Sequence, residues 1–318
     1  MSEATNSDAF YDRADEYASE GRYDEAIALY LKLAEMHPED ESIIMSLAWA
    51  YRDSGRVPDA IRCLEGLLEK ELGRVTFTGF AFDELVRIYR EEGDYGRMVA
   101  ICERAAAVQP DDSAVMTTLG DAYMGAGQPA KAADVFSALT EMEPDAPALF
   151  CRLGDARAAA GDYAGAEDAY DGAISIEPSD AHRFYCALGA TFAREGEYER
   201  AAAALKRSLK SRPDQPLVKC TLGDVLIRQG KPDEGMTAYE EAARLDAASA
   251  GGYYNRLGNS LAGEGRHDLA VGAFEKAVAA DPRNPFYCLS LVKSCEVEGL
   301  HDKAKEAYEK AQSLGVFS

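Results

Sequence analysis

The chain has 318 residues with 34 Lys+Arg against 56 Asp+Glu, and its formal charge of −22 is expected to repel nucleic acid and anionic membrane surfaces. Its 47% hydrophobic and 28% charged residues sit near the averages of folded domains, which excludes a disordered acidic tail. No stretch reaches ~18 uninterrupted apolar residues, and no basic segment near Met1 leads into an apolar one, so neither direct membrane insertion nor a signal peptide is expected.

Residues 1–6 read as an N-terminal tail. A charged helix is predicted from Ser7 to Glu20, then a turn at Gly21, then a second helix whose small Ala26 and large Tyr30 share one face, closed by Pro38. The same order recurs along the chain. The turn glycines are Gly21, Gly55, Gly93, Gly127, Gly161, Gly196, Gly230, Gly265 and Gly299, spaced by 34, 38, 34, 34, 35, 34, 35 and 34 residues. Small residues follow at Ala60, Ala132, Ala166, Ala201, Gly235, Ala270 and Ala304, with Met98 the exception, and allow close helix approach. Four residues further stand Leu64, Cys102, Phe136, Tyr170, Leu205, Tyr239, Phe274 and Tyr308. Pro110, Pro144, Pro178, Pro213 and Pro282 close further units, because the residue before a proline disfavours the α region. Pro129 and Pro232 fall just inside second helices, where a missing N–H costs nothing.

Nine helix pairs follow, at 7–40, 41–74, 79–112, 113–146, 147–180, 182–215, 216–249, 251–284 and 285–318. The irregular insert Val75-Thr76-Phe77-Thr78 breaks the period. It reads either as a hinge or apolar contact using Phe77 and Phe80, or as a longer second helix. The last helix, Asp302 to Ser313, is charged as a terminal cap requires.

Leu-Gly-x-x-Tyr, Gly, Ala-x-x-x-Phe/Tyr and Pro at a period of 34 residues resemble the tetratricopeptide repeat over essentially the whole chain. The resemblance implies an all-α fold, a right-handed α-solenoid superhelix of nine helix pairs forming a single domain, 7–318, without one central core.

Little in the sequence points to chemistry, and no enzyme or cofactor is expected. His37, His182, His267 and His301 occupy unrelated positions without metal-ligand spacing, and no phosphate-binding glycine motif or nucleophile elbow is present. Seven cysteines, an odd number with no C-x-x-C, argue against a disulfide framework and for a reducing compartment, so a cytoplasmic location is expected. Cys151, Cys186 and Cys220 share the fifth position of successive units, but stacked helices hold equivalent residues about 10 Å apart, beyond disulfide reach. Cys288 and Cys295 lie about 10.5 Å apart along one helix and cannot share a metal ion.

In each first helix the fourth, seventh, eighth and eleventh positions are expected to be buried, which turns positions 2, 5, 9, 12 and 13 the other way. In the resembled family that face lines a concave groove. Here it offers Asp83, Arg87, Thr117, Asp121, Cys151, Asp155, Arg183, Cys186, Cys220, Asp224, Asn255, Asn259 and Lys293 as candidate peptide-binding residues. Asp121, Asp155, Asp224 and Asn259 share the ninth position, either as acceptors for an extended peptide or as bonds to a neighbouring repeat. Asn255/Asn259 followed by Leu289/Lys293 lacks the paired lysines with which some relatives hold a C-terminal carboxylate, so that clamp is not expected.

These observations point to a non-catalytic scaffold or adaptor that binds an extended peptide or helix of a protein partner in the groove. Self-association, with Val316 and Phe317 or the early acidic helix docking in another copy, and a regulatory or substrate-delivery subunit of an enzyme on another chain are the alternatives.

Overall fold

A left-handed glycine ends the first helix of every pair. The nine turn glycines have φ between 68° and 85°, a region strained for residues with a Cβ. The residue after each donates its N–H five residues back, as Arg22 does to the Tyr17 carbonyl at 2.9 Å and Leu300 to Cys295 at 2.8 Å. These bonds satisfy carbonyls at the helix end while the chain reverses.

The structure, a computed structural model, describes residues 3–74 and 77–315, with side chains from Ser7 onward. Among the described residues are eighteen α-helices packed as sequential pairs. In order these are α1 (Glu3–Ser19), α2 (Tyr23–Met36), α3 (Glu41–Asp53), α4 (Val57–Leu72), α5 (Phe80–Glu91), α6 (Tyr95–Val108), α7 (Ser113–Gly125), α8 (Pro129–Met142) and α9 (Pro147–Ala159). There follow α10 (Tyr163–Ile176), α11 (Ala181–Arg194), α12 (Tyr198–Ser211), α13 (Pro216–Arg228), α14 (Pro232–Leu245), α15 (Ala250–Gly263), α16 (His267–Ala280), α17 (Pro285–Val297) and α18 (His301–Ser313). Two compact units divide the chain, residues 1–139 and 140–318.

The first helix begins at Glu3, ahead of the expected Ser7. Where the glycine spacing stretches to 35, a short 3-10 turn absorbs the extra residue, Pro178–Asp180 before α11 and Ala247–Ser249 before α15. At the larger insert α4 runs for 16 residues against 14 in α2, and Gly79, at φ 75°, leads into α5. Phe77 stacks edge-on against Phe82 with ring centroids 5.8 Å apart, whereas Phe80 is 69% exposed. Val75 and Thr76, like Val316 and Phe317, lie outside the described residues.

Small and large residues of the second helix meet the first as their alternation implies. Ala26, Ala166 and Ala270 are completely buried, as are Tyr239, Phe136 and Phe274 to within 1%. Burying each such aromatic stabilises by ~1.5–3 kcal/mol. Close approach fixes the eighth position of the first helix: a Cβ on Gly154 or Gly258 would lie 2.5 Å from the ring of Tyr170 or Phe274. In the second unit each first helix also contacts the next first helix, α9 to α11, α11 to α13, α13 to α15 and α15 to α17. That second contact buries third and tenth positions such as Leu149, Val218, Ala156 and Val225, so the buried face is wider than one stripe, and fourth-position residues such as Phe150 are only half-buried.

Candidate functional site

The ninth-position aspartates are engaged within the fold. Asp15, Asp155 and Asp224 each accept a hydrogen bond from a tyrosine hydroxyl fifteen residues on, Tyr30, Tyr170 at 2.8 Å and Tyr239 at 2.5 Å. The following first helix adds a second donor: Thr191 to Asp155 at 2.5 Å, and the Arg256 guanidinium to Asp224 at 2.5 and 2.9 Å. Burial and then the adjacent carboxylate push the Tyr170 and Tyr239 hydroxyls well above the usual tyrosine range. Both acids therefore tie first helix, second helix and next repeat together, and neither offers a vacant oxygen pair to a ligand.

The other candidates divide between paired, buried and open positions. Arg87 bonds Glu84 at 2.5 Å and Glu91 at 3.1 Å, and Arg183 bonds Asp180 at 2.7 Å. Thr117 and Asp121 are half-buried. Cys220 is completely buried and cannot line an open surface; burial pushes its thiol up to about 11. Burial does the same to Cys151, to about 11, and raises Cys186, so all three are poor nucleophiles at neutral pH. Asn255 is half-buried, with its Oδ1 enclosed and lacking a hydrogen-bond partner.

Asn259 and Lys293 come together in the second unit, lining a cavity of about 650 Å³ with Leu289, His267 and Val297. Asp83 lines a different cavity, of about 490 Å³, within the first unit. Its walls are Met45, Trp49, Leu67 and Phe80, and its acids are Glu41, Glu71, Asp83 and Glu84. Trp49 is 44% exposed. Glu71, only 3% exposed, accepts bonds through Oε1 from Thr78 Oγ1 at 2.9 Å and from the Ala81 N–H at 3.0 Å. Glu71 Oε2 is buried and has no hydrogen-bond partner among the described residues. Burial, and then Glu71, Glu84 and Asp112, hold the Asp83 carboxyl above the usual range.

Sequence reasoning missed Trp49 and Glu71. Trp49 holds the ninth position of its helix, where its exposure was legible, but Glu71 belongs to a second helix, α4, and is fixed at the cavity by bonds from Thr78 and Ala81. Leu217 and Phe286, 64% and 68% exposed, share the second position with Phe80 and were missed as well. Among the described residues no group of three His, Cys, Asp or Glu side chains could hold a metal ion, and no helix is long and apolar enough to cross a membrane.

The paired helices, the turn glycines and the small–large packing agree with comparisons to known proteins. The pattern of the Cilia and flagella-associated protein 70 C-terminal domain, a tetratricopeptide-repeat family, matches residues 90–316, and a tetratricopeptide-repeat pattern matches residues 17–74. The chain belongs to this tetratricopeptide-repeat family. Over 100 residues it is 28% identical to Small glutamine-rich tetratricopeptide repeat-containing protein 2 of Mycosarcoma maydis, covering 31% of this chain and 28% of that protein. It thus spans under a third of the length of this curated relative. Similar solved structures include a crystal structure of MamA, 25% identical over 51% of this chain and 94% of that one, with a TM-score of 0.38. YrrB, described as a TPR protein with an unusual peptide-binding site, is 20% identical over 57% of this chain and 93% of its own, with a TM-score of 0.38. The APC/C hetero-tetramer Cut9-Hcn1 is 13% identical over 98% of this chain and 74% of that chain, with a TM-score of 0.40. Tetratricopeptide-repeat domains mediate protein–protein interactions and are typically non-catalytic.

Proposed function

We propose that this chain is a non-catalytic, cytoplasmic scaffold or adaptor whose first-helix faces bind an extended segment or a helix of a partner protein, the nine repeats, residues 7–318, forming one array. The observation that carries this reading is the exposure of Phe80, Leu217 and Phe286 at one repeating position of that face. Large apolar residues left open beside polar ones mark interaction surfaces. The cavity shared by Asn259 and Lys293 supports the same reading, with an amide and an ammonium beside the apolar Leu289 and Val297.

Capture of partners from the native host's lysate, read by mass spectrometry, tests it with wild type beside the Asn259→Glu, Lys293→Glu double variant. Asp155 is unsuitable for such a test, since it holds Tyr170 and Thr191. A partner lost in the variant while helicity is retained supports this face as the binding surface. Partners captured equally by both place binding elsewhere, and substrate turnover by the purified chain alone overturns the non-catalytic reading.

A further inference from the structure

The first-unit cavity between α3, α4 and α5 carries a charge pattern that its residue count does not reveal. Of its four acids, Glu41 is held by Arg74 at two oxygens, and Glu84 by Arg52 at 3.4 Å and Arg87 at 2.5 Å. Among the described residues the exposed Asp83 carboxylate makes no side-chain hydrogen bond or ion pair, and Glu71 Oε2 is buried without one. A carboxylate removed from water, as Glu71 is, needs compensation by a donor or a cation, and here Arg52, Arg74 and Arg87 pair with Glu41 and Glu84 instead. The walls suit a particular cation. Trp49 presents an aromatic surface, which attracts cations, while Met45, Leu67 and Phe80 suit an alkyl stem.

We propose that this cavity receives an arginine side chain from an extended segment of a partner protein, the guanidinium pairing with the exposed Asp83 carboxylate and held by the buried Glu71 charge beneath it, with the stem lying against Trp49 and Phe80. Guanidinium fits better than ammonium because it is planar, offers five donors to carboxylates at two depths, stacks on aromatic rings and sheds its hydration more readily. A protein segment fits better than a free small cation because Phe80, 69% exposed, extends the apolar surface beyond the cavity toward residues flanking the arginine. The proposal rests on the scaffold reading for its class of partner and adds the chemistry of one contact.

Trp49 is the single tryptophan of the chain, so intrinsic fluorescence reports directly on this cavity. The full chain is titrated with a short acetylated, amidated peptide carrying one arginine between leucines, and with the same peptide carrying citrulline or lysine instead. The arginine peptide shifts the Trp49 emission saturably, and citrulline weakens binding by at least about tenfold, the size of one lost charged hydrogen bond. Glu71→Gln keeps an acceptor for Thr78 and Ala81 while removing the charge, and Asp83→Asn alters a side chain that bonds nothing in the fold; each weakens the arginine peptide at least about tenfold with circular dichroism unchanged. An unresponsive wild type, equal binding of citrulline or lysine, or undiminished binding by both variants overturns the proposal. Because this readout lies in the first unit, its failure is distinguishable from failure of the scaffold reading, which the Asn259/Lys293 variant tests in the second.

Discussion

Asp224 sits among three interactions that no local pattern announces. It accepts the Tyr239 hydroxyl at 2.5 Å and two bonds from Arg256, and each donor comes from a different helix. Asp224→Ala should cost about 2 kcal/mol, because it leaves a buried hydroxyl and a half-exposed guanidinium without their acceptor; Tyr239→Phe should cost about 1 kcal/mol, since Arg256 still neutralises the acid. Urea unfolding of both variants checks the order, and a larger loss in Tyr239→Phe would contradict it. Buried tyrosines set an alkaline limit as well. Burial and the neighbouring acid push Tyr89 and Tyr123 up to about 12, and Tyr30, Tyr170 and Tyr239 are raised too. The unfolded chain ionises near pH ~10, so this stabilisation is complete below that value and is lost as pH rises through the folded values at about 12 and beyond. Tyrosinate absorbance should therefore rise in two phases, the later one coinciding with loss of helicity; a single phase near pH ~10 with helicity intact would rule this out. The acid at the ninth position was legible in the sequence, and a bond to a neighbouring repeat was one of its two readings, whereas the tyrosine of its own repeat was not foreseen. Aspartate and tyrosine fifteen residues apart do recur, at Asp15/Tyr30, Asp155/Tyr170 and Asp224/Tyr239, but they meet only when the glycine turn folds one helix back on the other.

Five of the helix pairs, those with Gly120, Gly154, Gly189, Gly223 and Gly258, carry two glycine positions with opposite physical roles. The turn glycine supplies a backbone conformation, whereas the eighth-position glycine supplies space, and only the second depends on a partner side chain. Gly258→Ala should destabilise by about 1–3 kcal/mol, since its Cβ would meet the Phe274 ring at 2.5 Å. Gly272, inside α16 with nothing within 4 Å of an added Cβ, should behave oppositely, Gly272→Ala stabilising by ~0.5–1 kcal/mol through helix propensity. Thermal melts of the two variants in one buffer compare them directly, and equal shifts would remove the distinction between space and propensity. The turn glycines, the small–large alternation and the closing prolines made the helix pairs readable, because each acts within a few residues along the chain. The extra burial at Ala156 and Val225 was not readable, because it comes from the next first helix rather than from the partner within the pair. The insert lay beyond a local reading for a related reason: the bond from Ala81 to Glu71 spans ten residues and a change of helix.

At the scale of the molecule the sequence reports how much charge there is, and the structure reports which charges are already matched. Ion pairs such as Arg104 with Glu69 at 2.7 Å and Lys276 with Glu240 at 2.7 Å are exposed, and pairs of this kind contribute ~0–1 kcal/mol each. The 56 acids against 34 basic residues leave a net −22 that no internal pairing removes. These two effects respond oppositely to salt: screening weakens the attractive pairs and also relieves the mutual repulsion of the excess carboxylates. Repulsion should dominate, because the pairs act at contact while the excess acts over the Debye length, which shrinks from ~30 Å at 0.01 M to ~8 Å at 0.15 M salt. The thermal midpoint should consequently rise by a few degrees over that interval, and a fall would show that surface pairing governs stability. Arginine-peptide binding at Glu71 should weaken over the same interval, because screening reduces the long-range attraction between a cationic peptide and an acidic chain. Its residual affinity at 0.15 M salt should be retained largely by the enclosed contact, where screening is less effective. Opposite salt responses of stability and binding in one preparation would thus separate the diffuse charge of the chain from the carboxylates of Glu71 and Asp83 at the cavity.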